Sequence, residues 1–221
     1  MFTHRMNWLD VRATIRDACR ALETQDLVSV ASGNVSVRLT ADDRNLIAIT
    51  PSQIPLCDAC ARTGPGGGSG GSCGGRGRHA LQRDADPSRR LSREDRRRRC
   101  RPHALCLCDC ARGRRPRPAV VLDEQVIVLG GAVRVAEFGP SSSEELANNV
   151  AAALGDCQAA LLRNHGAIAV GHDLAVAVAV AAFLERVAKT YSIANTIRTP
   201  QQVPDQVLQQ QNEAFRKRRE G

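Results

Sequence analysis

Aromatic residues are scarce in this chain of 221 residues: one Trp, one Tyr and four Phe, 3% of the whole. That excludes an aromatic core and leaves the interior to aliphatic side chains. Long apolar runs are also lacking. None approaches the roughly twenty residues that cross a bilayer, so no membrane partner is expected. Met1 to Asp10 carry charges and no small-residue cleavage site, so no signal peptide is expected and the cytoplasm is the expected location. Lysine, valine, isoleucine, phenylalanine, tyrosine and tryptophan are all absent between Leu56 and Arg117. A stretch without them cannot bury enough apolar surface to order itself.

What that stretch does contain explains two oddities of the whole. The net charge is +8 and the pI about 9.4, values that suggest a nucleic-acid or anionic-surface partner. Yet 16 arginines and only 6 acids lie between Leu56 and Arg117, leaving 15 basic and 17 acidic residues elsewhere. Outside this window the chain is ordinary and slightly acidic. Seven of the nine cysteines (Cys57, Cys60, Cys73, Cys100, Cys106, Cys108, Cys110) fall in the same window. Without a secretory signal they do not read as a disulfide framework.

The flanks look globular. Trp8, Val11, Ile15, Ala18, Cys19 and Leu22 recur at three- and four-residue spacings and predict an amphipathic helix. Val28 and Val30, then Val35, Val37 and Leu39, alternate as in strands, around the turn Ala31-Ser32-Gly33-Asn34. Leu46 to Ile49 predicts another short strand, stopped by Thr50-Pro51-Ser52. Beyond Pro118, Val126 to Leu129 and Ala132 to Val135 read as strands around Gly130-Gly131. Ser141-Ser142-Ser143-Glu144-Glu145 is a helix start, with the helix running to about Leu154. Ala159 to Leu162 predicts a buried strand, Ala167 to Val170 its continuation, and Asp173 caps a long apolar helix to about Ala194 that contains Tyr191. This helix reads as core or subunit interface. The tail from Gln201 reads as a terminal helix or frayed end.

Three stretches carry a family resemblance, in order. Ser32-Gly33-Asn34-Val35-Ser36 resembles the glycine-asparagine phosphate loop of class II sugar-phosphate aldolases. Ile49-Thr50-Pro51-Ser52-Gln53-Ile54-Pro55 resembles their second phosphate-contacting turn, with Gln53 where glycine is usual. Arg163 to Gly171 is similar to the stretch that supplies the third zinc-binding histidine, here His165. The chain thus resembles the class II aldolase/adducin family over both flanks and none of the middle. The resemblance implies one α/β domain over residues 1–221, an αβα sandwich with a central, mostly antiparallel sheet, in a homotetramer. It implies a zinc-dependent lyase acting on a small phosphorylated sugar such as L-fuculose 1-phosphate, with epimerases and dehydratases as close relatives. Gly33, Asn34, Ser52 and Gln53 would contact substrate, and His165 would bind Zn2+. Taken alone, the four loop residues are equally turn formers, and a lone histidine is more often satisfied by hydrogen bonds than by metal.

Such a protein should carry Ser-Ser-Glu and then His-x-His between Pro55 and Pro118, and this one carries neither. His79 and His103 stand singly there. No catalytic residue can therefore be assigned. Enrichment in Arg, Gly, Ala, Pro and Cys is what GC-rich coding DNA yields in a wrong frame. Joining the last two bases of each codon to the first of the next restores both motifs. Leu81-Gln82-Arg83-Asp84, written CTC CAG CGA GAT, gives Ser-Ser-Glu. Arg101 to Cys106, written CGT CCA CAC GCA CTC TGC, gives Val-His-Thr-His-Ser. A frame lost near Leu56 and regained near Arg117 accounts for the whole window, which is expected to be aberrant, irregular and disordered. The chain as written is then an inactive aldolase. A reading from another class is a nonenzymatic metal- or nucleic-acid-binding protein using Cys57-x-x-Cys60, Cys106-x-Cys108-x-Cys110 and Arg96 to Arg99. The irregular cysteine spacing and the absence of stacking aromatics among the arginines argue against it. A third reading is an adducin-like, noncatalytic scaffold.

Overall fold

The computed structural model describes residues 8–28, 33–41, 44–50, 100–104 and 120–220. Helix α1, Trp8–Thr24, follows the predicted stripe: Val11, Ala18, Cys19 and Leu22 are buried on one face. Strands β1, Val35–Ala41, and β2, Arg44–Ile49, pair antiparallel from Ser36 opposite Ile49 to Ala41 opposite Arg44. Val28, expected to start a strand, lies with Leu27 in a bend; both are buried in one core with Ala18, Cys19 and Leu22 of α1, and the Leu27 N–H donates to the Leu22 carbonyl at 2.9 Å.

The region expected to be strands around Gly130-Gly131 starts instead with a helix, α2, Glu124–Leu129. Its caps explain the reversal. The Asp123 carboxylate accepts from the Glu124 N–H at 2.8 Å, and Gly130 closes the other end in the left-handed region at φ 86°. The β-branched residues Val126, Ile127 and Val128 disfavour a helix only mildly, and burial of Val126 and Leu129 outweighs that. The strand expected at Ala132 to Val135 begins two residues later, as β4, Arg134–Ala136.

Helix α3, Glu144–Leu154, starts where the hydroxyl cap places it: the Ser143 Oγ accepts from the Leu146 N–H at 3.0 Å. Strands β5, Ala159–Leu162, and β6, Gly166–Ala169, form the most buried hairpin. Helix α4, Leu174–Ile197, is capped by Asp173, whose carboxylate accepts from the Val176 N–H at 2.8 Å. Helix α5, Asp205–Glu220, follows and packs on α2.

Residues 100–104 overturn part of the expectation for the middle window. Cys100–Ala104 forms a strand, β3, set between β1 and β6. The other residues of Leu56 to Arg117 lie outside the described residues. The sheet order is β2-β1-β3-β6-β5-β4, with every pairing antiparallel except β4 with β5. Alternate residues of β5 and β6 enter different cores. Ala159, Leu161, Ala167 and Ala169 pack with α1, α2 and α4, whereas Ala160, Leu162, Ile168 and Val170 pack with α3. Helices therefore cover both faces at this end of the sheet, which is why β5 reads as an unbroken apolar run. The fold is α/β. Among the described residues, no helix is long and apolar enough to cross a membrane.

Candidate functional site

Strand direction brings the predicted site residues together. β1 and β6 each run antiparallel to β3 and hence parallel to one another. Gly33-Asn34 leads into β1 and His165 into β6, so both stand at the same end of the sheet, across β3. Two strand spacings separate β1 from β6, about 10 Å. β2 ends at this same edge, so Thr50 arrives there too. Ser52 and Gln53 lie outside the described residues.

The turn before β1 is held from the side. Gly33 has φ 82°, a conformation glycine adopts without strain. The Val35 N–H donates to the Thr50 Oγ1 at 3.0 Å, and the Thr50 N–H donates to the Val35 carbonyl at 2.9 Å. Val35 and Thr50 are both buried. Beside them the Asn34 Oδ1 is buried with no hydrogen-bond partner. A buried amide end of this kind is a costly state that a ligand or water relieves.

His165 sits in the tight turn between β5 and β6, with its N–H bonded to the Leu162 carbonyl at 3.0 Å. One nitrogen of the ring is engaged. Its Nε2 lies 2.7 Å from the Gly139 carbonyl oxygen, and Phe138 stacks on it with centroids 5.5 Å apart and planes 9° from parallel. A carbonyl only accepts, so Nε2 carries the proton in this contact. Neighbouring bonds fix the same loop. Arg163 Nη1 reaches Glu137 Oε2 at 2.8 Å, and Asn149 Nδ2 donates to the Glu137 and Phe138 carbonyls. Neither Phe138 nor Gly139 stands out in any sequence pattern. The signal available is only that a Cβ on Gly139 would lie 2.7 Å from the Leu146 N, so glycine is needed there.

The donor set for a catalytic zinc does not close. Three protein ligands are the usual minimum, and among the described residues no group of three His, Cys, Asp or Glu is placed to hold a metal. The sequence has five histidines, none in a His-x-His pair. The Nε2–H bond to Gly139 leaves the His165 Nδ1 as an acceptor, as in many metal-binding histidines. What the described residues lack is the two partner ligands, so by themselves they do not make up the metal centre that the resemblance implied.

The family model for the class II aldolase and adducin N-terminal domain matches residues 13–63 and 100–192. The chain belongs to the class II aldolase and adducin family. Its match is broken between residues 63 and 100, inside the arginine-rich window, but extends further into that window than the sequence motifs did. A comparison with curated proteins finds no match. Among solved structures, an L-fuculose 1-phosphate aldolase is 23% identical with a TM-score of 0.69, over 97% of this chain and 100% of that one. An L-fuculose-1-phosphate aldolase from Thermus thermophilus is 27% identical with a TM-score of 0.55, over 84% of this chain and 98% of that one. A sugar-phosphate aldolase from Thermotoga maritima is 17% identical with a TM-score of 0.62, over 85% of this chain and 97% of that one. These likenesses concern the fold.

Proposed function

We propose that this chain is a class II aldolase-type protein for a small phosphorylated sugar of the L-fuculose 1-phosphate kind, keeping part of the phosphate site and lacking the lyase step. The observation that carries the reading is the convergence of Gly33-Asn34, Thr50 and His165 on one end of the sheet. Small turn residues and backbone amides at such an edge suit a phosphate. Retro-aldol cleavage further needs a base for the sugar hydroxyl proton and an electrophile for the enediolate. The motifs expected for those tasks, Ser-Ser-Glu and then His-x-His, are missing between Pro55 and Pro118.

The strand β3 supports the out-of-frame origin of Leu56 to Arg117. Pro102 stands in it, between β1 and β6. Proline has no N–H, so whichever neighbour it faces loses a ladder bond, and central strands rarely hold one. In the joined frame the codons over this strand permit histidine at positions 102 and 104, opposite Val35 and Ala167. That is the strand beside the one His165 leads into. We accordingly read residues 1–221 as a single αβα-sandwich domain of cytoplasmic, tetrameric type, with 56–117 aberrant within it.

The test is an assay of the purified, sequence-verified chain with L-fuculose 1-phosphate and added zinc, alongside titration of the same sugar phosphate. Binding without release of aldehyde is the expected result. Zinc-dependent turnover contradicts the loss of the lyase step, and absence of binding contradicts the retained phosphate site.

A further inference from the structure

We infer that Thr50 is a positioning residue for the anion-binding turn, tying Gly33-Asn34 to the end of β2. The inference rests on the phosphate reading of that turn and adds to it a residue outside the substrate contacts. Thr50 grips Val35 from both sides of its peptide unit: its hydroxyl oxygen accepts from the Val35 N–H and its own N–H donates to the Val35 carbonyl. The side-chain bond is the informative one. The backbone bond forms with any residue except proline at position 50, whereas the Val35 N–H has its acceptor here in the Thr50 side chain. Thr50 is 6% exposed and Val35 fully buried, so water cannot replace that acceptor without opening the sheet edge.

The consequence falls on the turn. With its N–H pinned, Val35 fixes where the chain enters β1, and so where the Gly33 and Asn34 amides stand. The Asn34 Oδ1, buried beside it, makes no hydrogen bond, so this atom does not help to hold the turn. A flexible turn would have to be ordered by each anion it bound; a pinned one is ordered beforehand and binds more tightly for that reason.

The experiment compares the full chain with Thr50→Val, which keeps the shape and removes the acceptor, and Thr50→Ser, which keeps the acceptor. Amide exchange at Val35 is followed by NMR without ligand, then Gly33 and Asn34 amide shifts are followed on adding inorganic phosphate. In T50V, Val35 exchange is expected to quicken about tenfold or more, the loss of one buried hydrogen bond. Phosphate affinity should fall by about the same factor, with T50S restoring both. An unprotected Val35 amide in the parent chain, or unchanged exchange in T50V, overturns the pin whatever the ligand does. Phosphate that leaves the Gly33 and Asn34 amides of the parent unmoved overturns the phosphate reading alone, because the exchange comparison still decides the role of Thr50. Equal phosphate affinity in T50V and the parent overturns the positioning role.

Discussion

The imidazole of His165 donates from Nε2 to the carbonyl of Gly139, 2.7 Å away and 26 residues back in the chain. This contact joins the turn between β5 and β6 to the loop leaving β4, and the stacked ring of Phe138 completes it. In this structure the contact clasps the two loops together and leaves Nδ1 as an acceptor. His165→Ala should therefore lower stability by about 1–2 kcal/mol, from one hydrogen bond and one ring contact. Urea denaturation measures it, and a neutral substitution would show that the clasp contributes nothing.

Zinc content follows from the partner ligands that His165 lacks among the described residues and in the sequence motif. Chain purified with zinc present and then dialysed should hold no zinc that depends on His165. Elemental analysis of the parent and of His165→Ala should agree. One zinc per chain in the parent, lost in the variant, would mean that His165 binds metal after all.

Helix α2 ends against α5, and the junction is tight. A Cβ on Gly130 would lie 2.8 Å from the ring of the buried Phe215, at a residue with φ 86°. Gly130→Ala should cost about 2 kcal/mol, part from overpacking and part from the left-handed backbone. Most of the steric part should go when Phe215→Ala has removed the ring, leaving the 3.2 Å approach to the Cys157 Cα. A double-mutant cycle thus predicts a smaller cost of Gly130→Ala in the F215A background. Equal costs in the two backgrounds would rule out the contact.

The two cores should answer separately to helix caps. Asp173→Ala removes the cap of α4, which packs with α1, and Ser143→Ala removes that of α3 on the other face. Each should cost about 1 kcal/mol. Their effects should add, because the two caps share no partner. Thermal denaturation of the two single variants and the double variant checks this.

Much of the fold can be read from the chain because its periodicities are clean. α1, β1, β2, α3, β5, β6 and α4 appear where their apolar spacings and caps put them. α2 misleads because Val126 to Leu129 looks like a strand to any rule based on side-chain shape; the deciding signals are Asp123 and Gly130 at its ends. β3 cannot be read at all. Cys100-Arg101-Pro102-His103-Ala104 has neither alternation nor strand formers, and only its neighbours β1 and β6 define its place. The site divides the same way. Gly33, Asn34 and His165 announce themselves through local motifs, whereas Thr50, Phe138 and Gly139 act through partners 15 to 27 residues away, a distance at which sequence spacing carries no information.

The central claim is that an aldolase-family chain has been interrupted by a stretch in the wrong frame, and nucleotides test it most directly. The measurement is the sequence of the coding DNA from Ile49 to Leu122. Read in the joined frame, the account predicts an uninterrupted message with Ser-Ser-Glu over Leu81 to Asp84 and His-Thr-His over Pro102 to Leu105. Stop codons in that frame, or codons that spell other residues at those positions, would contradict it and leave the arginine-rich window as an insertion in its own right.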